Sequence, residues 1–308
     1  MLKPIECAGL LLLNKPAGLT SFTSLNRVKR AFSTGKVGHT GTLDKFAQGL
    51  LVALLGRAVK LTPWFSGCDK WYEGIIRLGF ETDTLDPEGT PVAEAELPTR
   101  EQLEATLPMF RGDILQEPPV YSALHIDGKR ASTLARSGET VSMRKRPVSI
   151  YALELLEYEP PLAHICVHCS SGTYIRSLAR DIALTAASRG HLVSLTRTAI
   201  AGFCLSDALA DDEPALLQAA LRPIDTRVFA ALKIPVLTVS DETARSMTQG
   251  KRLEGLNANL DGDTLAVFRQ DDSFVGIIEK TGDTWRYGYM WSLPRGVTNR
   301  PQSCPSGL

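Results

Sequence analysis

The chain has 308 residues, of which 44% are hydrophobic, and it carries 34 lysines and arginines against 34 acidic residues. A chain of this length buries roughly three quarters of its unfolded surface, and its length favours one large domain or two unequal ones. No apolar run reaches the roughly eighteen residues that a membrane span needs, and the apolar stretch 10–13 is too short for the core of a signal peptide. Composition therefore excludes a membrane-spanning helix and predicts a cytoplasmic protein.

Charge is unevenly distributed along the chain. Residues 1–70 contain ten lysines and arginines but three acidic residues, and a second basic stretch lies at 129–146 with Glu139 as its one acid. Acidic residues are concentrated at 81–104 and again at 211–213. This separation favours a phosphate-facing surface backed by an acidic far side. Solvated helix faces produce similar clusters, so both interpretations remain open at this point.

The first predicted helix begins near Thr20 or Ser21, because either residue can cap a helix N-terminus. Apolar residues then follow helical spacing up to position 32. A short apolar run at 49–56, bounded by glycines, indicates a buried strand or an equally buried helix segment. Asp44 stands between a glycine-rich turn and this run. The simplest interpretation of Asp44 is a helix cap or a turn residue.

The middle of the chain alternates between strand and helix patterns. An extended segment at 72–78 places Tyr72 and every second residue after it on one face. Thr99 and Gln102 form a capping-box pattern at the start of a helix. The dipeptide at 127–128 marks a tight hairpin turn, which a short helix follows.

The segment 162–169 is predicted to be a strand, followed by a helix that carries Arg176 in its first turn and has Gly190 just past its end. Beyond residue 225 the pattern changes to a short helix capped by Ser240 and several short strand-like runs separated by turns. We therefore expect a small, mostly β second domain that begins near residue 232.

Five segments carry recognisable motifs: residues 14–18, 38–44 with their continuation to 58, 69–73, 116–123 and 169–176. In the same order, they resemble the motifs of pseudouridine synthases of the tRNA pseudouridine-55 (TruB) type. The chain departs from the family pattern at two places: Lys45-Phe46 stands where a proline-hydrophobic pair is expected, and Gln48 stands where a threonine is expected.

The resemblance implies an α+β pseudouridine synthase fold with a mixed, largely antiparallel central sheet. It implies a catalytic domain over residues 1–231 and a small β-rich PUA-like RNA-binding domain over 232–295. Residues 296–308 are rich in Pro, Ser, Gly and Asn, and this composition predicts a flexible tail. The implied activity is isomerisation of a uridine to pseudouridine in RNA, in the T loop of tRNA at position 55. The implied partner is the tRNA substrate, with no cofactor, no metal, no membrane and no obligatory protein partner.

The resemblance also implies which residues carry the chemistry. Asp44 matches the catalytic carboxylate, acting as a nucleophile at the sugar or as a base, and the sequence leaves both routes open. Arg176 matches the arginine that pairs with this carboxylate and keeps it ionised, and Asp86 matches the acid that orients the arginine from behind. Tyr72 matches the tyrosine that stacks on the target base and assists at C5. An ordinary half-buried strand aromatic is the alternative for Tyr72.

The remaining candidates concern binding of the RNA. His39 and Tyr174 match aromatic groups that stabilise the site of a flipped nucleotide, and Leu195 resembles an apolar wall of the uracil pocket. A surface loop histidine and plain core packing are the alternatives for His39 and Leu195. The candidates for phosphate contacts are Lys15, Arg57, Lys60, Lys129 and Arg130.

Two other patterns carry less weight. His164, Cys166 and His168 alternate along one predicted strand face in a His-x-Cys-x-His pattern that can bind zinc, but no fourth ligand follows at a known spacing. The glycines at 35–41 lack the Gly-Lys-Ser/Thr ending of a phosphate loop. The sequence therefore predicts neither a zinc site nor a nucleotide-hydrolysing enzyme.

Two other functions remain as alternatives. One is an RNA-binding or RNA-folding protein without catalysis, and the other is a related synthase that acts on a different RNA. The joint presence of Asp44, Tyr72 and Arg176 favours an enzyme over the first alternative.

Overall fold

The computed structural model describes residues 7–122, 124–126, 128–137, 139, 141–210, 213–251, 253, 262–282 and 284–291. The predicted tail at 296–308, Asp127 of the predicted hairpin turn and the acidic pair at 211–212 lie outside the described residues. No helix of the described ranges is long and apolar enough to cross a membrane.

The described part of the chain alternates strands with short helices. Its helices are α1 (Ser21–Ala31), α2 (Thr62–Ser66), α3 (Arg100–Thr106), α4 (Ala131–Arg136), α5 (Ile175–Thr185), α6 (Pro214–Ala219), α7 (Thr226–Ala231) and α8 (Asp241–Thr248), with short 3-10 helices at Gly56–Leu61, Leu107–Phe110 and Leu205–Asp207. Its strands are β1 (Gly9–Lys15), β2 (Val37–His39), β3 (Gln48–Leu55), β4 (Lys70–Leu78), β5 (Phe80–Thr82), β6 (Pro91–Glu94), β7 (Gly112–Gln116), β8 (His125–Ile126), β9 (Lys129–Arg130), β10 (Arg146–Glu159), β11 (Leu162–Cys169), β12 (Gly190–Ile200), β13 (Phe203–Cys204), β14 (Val236–Val239), β15 (Thr264–Arg269), β16 (Phe274–Thr281) and β17 (Thr284–Met290).

A nine-stranded sheet forms the centre of the larger part of the chain. Its main order is β1-β3-β12-β4-β11-β10-β7, while β2 pairs with β3 and β13 pairs with β12. Every pair in it is antiparallel except β12 with β3. The predicted α+β class with a mixed, largely antiparallel central sheet is thereby confirmed.

One face of this sheet carries both α1 and α5. Arg197 on β12 lies opposite Gly49 on β3 and opposite Tyr72 on β4. Directly opposite residues share a face, and so do residues two apart on one strand. Leu51, Leu11 and the apolar side of α1 therefore pack on the same face as Tyr72 and α5. We call this face, which carries α1 and α5, the front face, and the opposite one the back face.

Three local predictions for the helices and strands of this part are confirmed by the structure. The apolar run at 49–56 forms strand β3 rather than a helix. Thr20 caps α1 by accepting from the backbone N–H of Thr23, and Thr99 with Gln102 forms the predicted capping box. Each of these devices depends on residues a few positions apart, which is why the sequence indicates them.

Gly190 was expected just beyond the end of α5, and this expectation is wrong. The helix ends at Thr185, Ala187 takes the left-handed conformation with φ of 56°, and Gly190 is the first residue of β12. A Cβ at position 190 would lie 2.9 Å from Cβ of Ala183. Glycine stands there because β12 passes very close to α5.

The C-terminal residues form a second sheet with the order β14-β15-β16-β17. This confirms the β-rich character expected for this region, with α8 after β14 as the Ser240 cap indicates. The sheet meets the back face of the central sheet through a shared apolar cluster. Phe229 on α7 stacks on Phe274 with ring centroids 4.9 Å apart and meets Phe268 at 5.6 Å. The expected domain boundary near residue 232 thus lies within a continuous hydrophobic core.

Truncation of Phe229 tests this shared core. The side chain is 1% exposed, so Phe229→Ala should lower the free energy of unfolding by about 3–5 kcal/mol through lost burial and a cavity. Equilibrium urea denaturation measures the loss. Phe22→Ala is the matched control. The Phe22 side chain is 65% exposed, so this substitution should lower the free energy of unfolding by less than about 1 kcal/mol. Similar losses in both variants would contradict the proposed role of the cluster.

Candidate active site

Asp44 lies in an irregular segment on the front face, between β2 and β3. We call residues 40–47 the Asp44 loop. The loop has few backbone hydrogen bonds of its own: Thr40 N–H donates to Val52, and Ala47 N–H donates to the Asp44 carbonyl at 3.2 Å. Since buried carbonyls need donors, side chains from elsewhere in the chain must hold the loop.

Ser21, the first residue of α1, holds the loop directly before Asp44. Its hydroxyl donates to the Leu43 carbonyl at 3.1 Å and accepts from the Leu43 N–H at 2.8 Å. Gly18 adds a backbone contact, donating its N–H to the Lys45 carbonyl at 2.8 Å. The start of α1 and the Asp44 loop are therefore one connected unit.

Lys15 holds the loop directly after Asp44, and its predicted phosphate contact is wrong. The residue is fully buried, and its ammonium donates to the carbonyls of Ala47 and Leu19 at 2.6 Å and of Pro16 at 2.9 Å. A side chain enclosed in this way cannot reach a phosphate of bound RNA. Burial lowers the pKa of Lys15 to about 8, so the ammonium still carries its proton at neutral pH.

Arg197 supplies the third anchor and was not recognised from the sequence. It is 1% exposed, and its guanidinium donates to the carbonyls of Leu50 at 2.8 Å and Gly41 at 3.0 Å, with Thr42 at 3.5 Å. The strand β3 passes so close to it that a Cβ on Gly49 would lie 2.4 Å from the Arg197 carbonyl. A basic residue inside an otherwise strand-like segment was the one signal that the sequence offered.

Arg176 meets the Asp44 carboxylate in a two-point contact. Its Nε donates to Oδ2 at 2.8 Å and its Nη2 donates to Oδ1 at 3.1 Å. The other guanidinium donors reach the carbonyls of Thr84 at 2.7 Å and Tyr121 at 3.0 Å, and Asp86 Oδ2 at 3.2 Å. The Arg176 side chain is 4% exposed whereas that of Asp44 is 37% exposed. The arginine is thus enclosed, and the carboxylate keeps an open side.

Asp86 is fixed by its own short turn. Its Oδ1 accepts from the Thr84 hydroxyl at 2.6 Å and from the Glu88 N–H at 3.0 Å, which leaves Oδ2 for Arg176. Leu85 between them adopts a left-handed conformation with φ of 60°, and its carbonyl accepts from the Leu192 N–H. The turn therefore holds Asp86 behind Arg176 on the side away from Asp44.

Opposing effects act on the pKa of the Asp44 carboxyl. Burial raises the pKa of the Asp44 carboxyl, and the nearby negative charge of Asp86 adds to the rise. The charge and hydrogen bonds of Arg176 lower this pKa, as does the ammonium of Lys15. Both cations therefore favour the ionised carboxylate that a nucleophile or base requires.

Tyr72 and Leu195 belong to the apolar floor of the same region. Tyr72 on β4 is 7% exposed and Leu195 on β12 is 5% exposed, and both join the front-face core that also contains Leu43 and Ala47. Burial raises the pKa of the Tyr72 phenol, while its cross-strand neighbour Arg197 opposes the rise. The phenol is accordingly neutral at physiological pH and retains its proton.

His39 and Tyr174 are both half-buried. His39 ends β2 just before the Asp44 loop, and burial with the charge of Arg197 lowers its pKa, so the ring is neutral. Its Nδ1 has no hydrogen-bond partner among the described residues. Tyr174 caps α5, and Gln116 holds its backbone by accepting from its N–H at 2.8 Å and donating to its carbonyl at 3.1 Å.

The other candidates for phosphate contacts are spread over separate segments. Lys60 is exposed after β3, and Lys129 and Arg130 are exposed on β9. Arg57 is half-buried, with its guanidinium 5.3 Å from the ring centroid of Trp291. The structure thus leaves three of the five proposed cations openly available to a ligand, while Lys15 is enclosed.

His164, Cys166 and His168 point to the back face of the central sheet, away from Asp44. His168 stacks on Trp71 with ring centroids 3.9 Å apart, with Asp69 3.9 Å from its Nε2, while His164 lies 3.8 Å from Glu73. Within the described ranges, no group of three or more His, Cys, Asp or Glu side chains is arranged to hold a metal ion.

Replacement of Arg197 tests the anchoring of the Asp44 loop. Arg197→Gln removes donors from buried carbonyls and should lower the free energy of unfolding by about 3–5 kcal/mol. Arg197→Lys should recover little, since an ammonium lacks the planar geometry for several carbonyls. Arg189→Gln is the control, because Arg189 is 38% exposed and pairs with Glu81 at 3.4 Å, a contact worth about 0–1 kcal/mol. Equal losses at both positions in urea denaturation would argue against the anchoring role.

The sequence is similar to a family of known proteins along most of its length. The model of the TruB family pseudouridylate synthases (N terminal domain) matches residues 29–175. The tRNA pseudouridine synthase B of Pseudomonas aeruginosa is 38% identical over 90% of this chain and 93% of its own length. That of Caulobacter vibrioides is 39% identical over 88% and 92%. That of Treponema denticola is 47% identical over a shorter region, 64% of this chain and 61% of its own length.

Solved structures agree on the fold. The structure titled "Crystal Structure of a Cbf5-Nop10-Gar1 Complex" contains a chain that superposes with a TM-score of 0.68 at 22% identity, over 92% of this chain and 84% of that one. At this identity the likeness shows the fold alone. With the relatives that match along nearly their whole length, the conclusion is that this chain belongs to the TruB family of pseudouridine synthases.

Proposed function

We propose that this protein isomerises a specific uridine to pseudouridine in the T loop of tRNA, at position 55. The observation that carries the proposal is the two-point contact between the partly open Asp44 carboxylate and the enclosed Arg176 guanidinium. Membership of the TruB family supports the reaction and the substrate, since the relatives carry the name tRNA pseudouridine synthase B. A tRNA substrate also fits the cytoplasmic location expected from the sequence.

The reaction breaks the bond between C1′ of the ribose and N1 of uracil, turns the base, and joins C1′ to C5. The C5 proton is lost and N1 gains a proton, so no atom is gained or lost overall. In this proposal, the open side of the Asp44 carboxylate faces the sugar and acts there as a nucleophile or as a base. Arg176 keeps the carboxylate ionised and fixes its orientation.

Tyr72 and Leu195 support the target base in this proposal. The phenol ring lies in the buried floor of the site. In this proposal the ring stacks on uracil and its hydroxyl assists removal of the C5 proton. Leu195 adds an apolar wall beside Tyr72. A neutral phenol suits this position, because a charged group would cost solvation energy in a site closed by the substrate.

The target nucleotide must leave the folded loop of the RNA to reach Asp44. His39 ends β2 before the Asp44 loop and Tyr174 directly precedes α5, both half-buried, and in this proposal both rings support the strand from which the nucleotide is taken. Lys60, Lys129 and Arg130 contact backbone phosphates, as does Arg57 in this proposal. The C-terminal sheet, within the expected domain over 232–295, extends the contact with the RNA.

Loss of the Asp44 charge is the direct test of the proposed function. Asp44→Asn should lower single-turnover formation of pseudouridine by several orders of magnitude while tRNA affinity changes by less than about tenfold, because the amide is nearly isosteric but is not an anion. Tritium release from C5-labelled uridine and filter binding measure the two quantities. Asp83→Asn, the same change at an exposed aspartate, should leave both near those of the parent. Substantial turnover by the Asp44 variant, with deamidation excluded, would refute the assignment.

The pH dependence of turnover tests the role of Asp86. The Asp86 charge raises the pKa of Asp44, so Asp86→Asn should lower that pKa while preserving an oxygen for Arg176. Activity needs ionised Asp44 and falls as pH drops through its pKa. The acid limb of the single-turnover rate should therefore move to lower pH in Asp86→Asn and stay in place in Asp83→Asn. An unmoved limb, or one at higher pH, would show that Asp86 does not act through the charge state of Asp44.

A further inference from the structure

The exposed face of α1 combines an aromatic ring with cations and has no acid. Phe22, Asn26, Lys29 and Arg30 follow helical spacing and form one stripe opposite the buried residues of the helix. Phe22 is 65% exposed, and the Lys29 ammonium lies 4.1 Å from the centroid of its ring. We call these four residues the α1 stripe.

The charge of this region is one-sided. No acidic residue occurs anywhere between positions 7 and 43, and Asp44 is the first one after this interval. Neither Lys29 nor Arg30 forms an ion pair with a carboxylate among the residues that the structure describes. The α1 stripe therefore presents uncompensated positive charge to a ligand.

The position of the stripe links it to the proposed reaction. α1 packs on the front face, and its first residue, Ser21, is hydrogen-bonded to Leu43 directly before Asp44. Arg30 lies nine residues further along the helix, which corresponds to roughly 13 Å at the α-helical rise. The cations of the stripe are thus close to the site yet too far along the helix to serve the target nucleotide itself.

We propose that the α1 stripe is a further RNA-binding surface, on which Lys29 and Arg30 bind backbone phosphates and Phe22 stacks on an unpaired base. The inference rests on the proposed function, because it takes the tRNA substrate as the occupant. Exposed aromatic rings beside cations bind single-stranded nucleic acid without reading its sequence. The absence of acidic residues over this stretch favours a polyanion over a protein surface of mixed charge.

Salt dependence of tRNA binding tests the cations of the stripe. Each contact with a single-strand phosphate contributes about 0.7 to the slope of log K against log salt. The double variant Lys29→Gln/Arg30→Gln should therefore flatten the slope by roughly 1.4. The control is Arg227→Gln, since Arg227 is 85% exposed on α7, which packs on the back face. Its slope should equal that of the parent chain.

Substitutions of Phe22 test the stacking separately from the charge. Phe22→Ala should weaken tRNA binding about tenfold without altering the salt slope, and Phe22→Tyr should restore the affinity. Circular dichroism shows whether each variant is folded. Parent-like affinity and slope in both the double variant and Phe22→Ala would overturn the proposal and leave the stripe to a different partner, such as an acidic protein.

The same experiments separate this proposal from the proposed function. Pseudouridine formation by the parent chain on the same tRNA is measured first. If the parent forms product but the variants bind RNA as the parent does, the proposal for α1 alone fails. If the parent forms no pseudouridine, the proposed function is refuted. The binding data still decide whether the α1 stripe contacts RNA.

Discussion

The site depends on buried cations that hold the backbone of the Asp44 loop. Lys15 and Arg197 donate to carbonyls after and before Asp44, where no helix or strand ladder supplies donors. A buried carbonyl without a donor costs about 1–3 kcal/mol, so removal of either cation would release the loop rather than delete a single contact. Charge also contributes, because Lys15 lowers the pKa of the neighbouring Asp44 carboxyl. The shape and the charge of the site thus come from the same side chains.

Arg176 joins parts of the chain that are remote in sequence. Asp44 and Arg176 are 132 residues apart, and the same guanidinium also binds the turn at 84–86 and the carbonyl of Tyr121. Its planar group satisfies several acceptors at fixed angles, which lysine cannot do. Asp44, the turn at 84–86 and Tyr121, which lie in three separate segments, therefore converge on one side chain. A change in any of these segments would alter the position of the guanidinium relative to the Asp44 carboxylate.

The two faces of the central sheet have different surroundings. The front face holds α1, the Asp44 loop and α5, while the back face meets the C-terminal sheet through Phe229, Phe268 and Phe274. The C-terminal sheet therefore stabilises the strands that carry the site without contributing the catalytic candidates. The uneven charge along the chain follows this division, because the acid-free interval before Asp44 forms part of the front face.

The sequence by itself determined the features that depend on near neighbours. The cap of α1 at Thr20, the capping box at Thr99 and the alternating strand at 72–78 arise from contacts over a few residues, and their patterns are visible in the chain. The resemblance added the segments that carry Asp44, Tyr72 and Arg176, whose chemical roles stay predictions.

Only the tertiary structure decided which cations are buried and what they hold. The sequence predicts a phosphate contact for Lys15 and no role for Arg197, since the carbonyls that these side chains bind belong to segments far away in the sequence. The long strand β10 and the place of Gly190 at the start of β12 were missed for the same reason: pairing and close approach depend on distant strands and helices. A residue's type states what it can bind, whereas burial and partners follow from the packing of the whole chain.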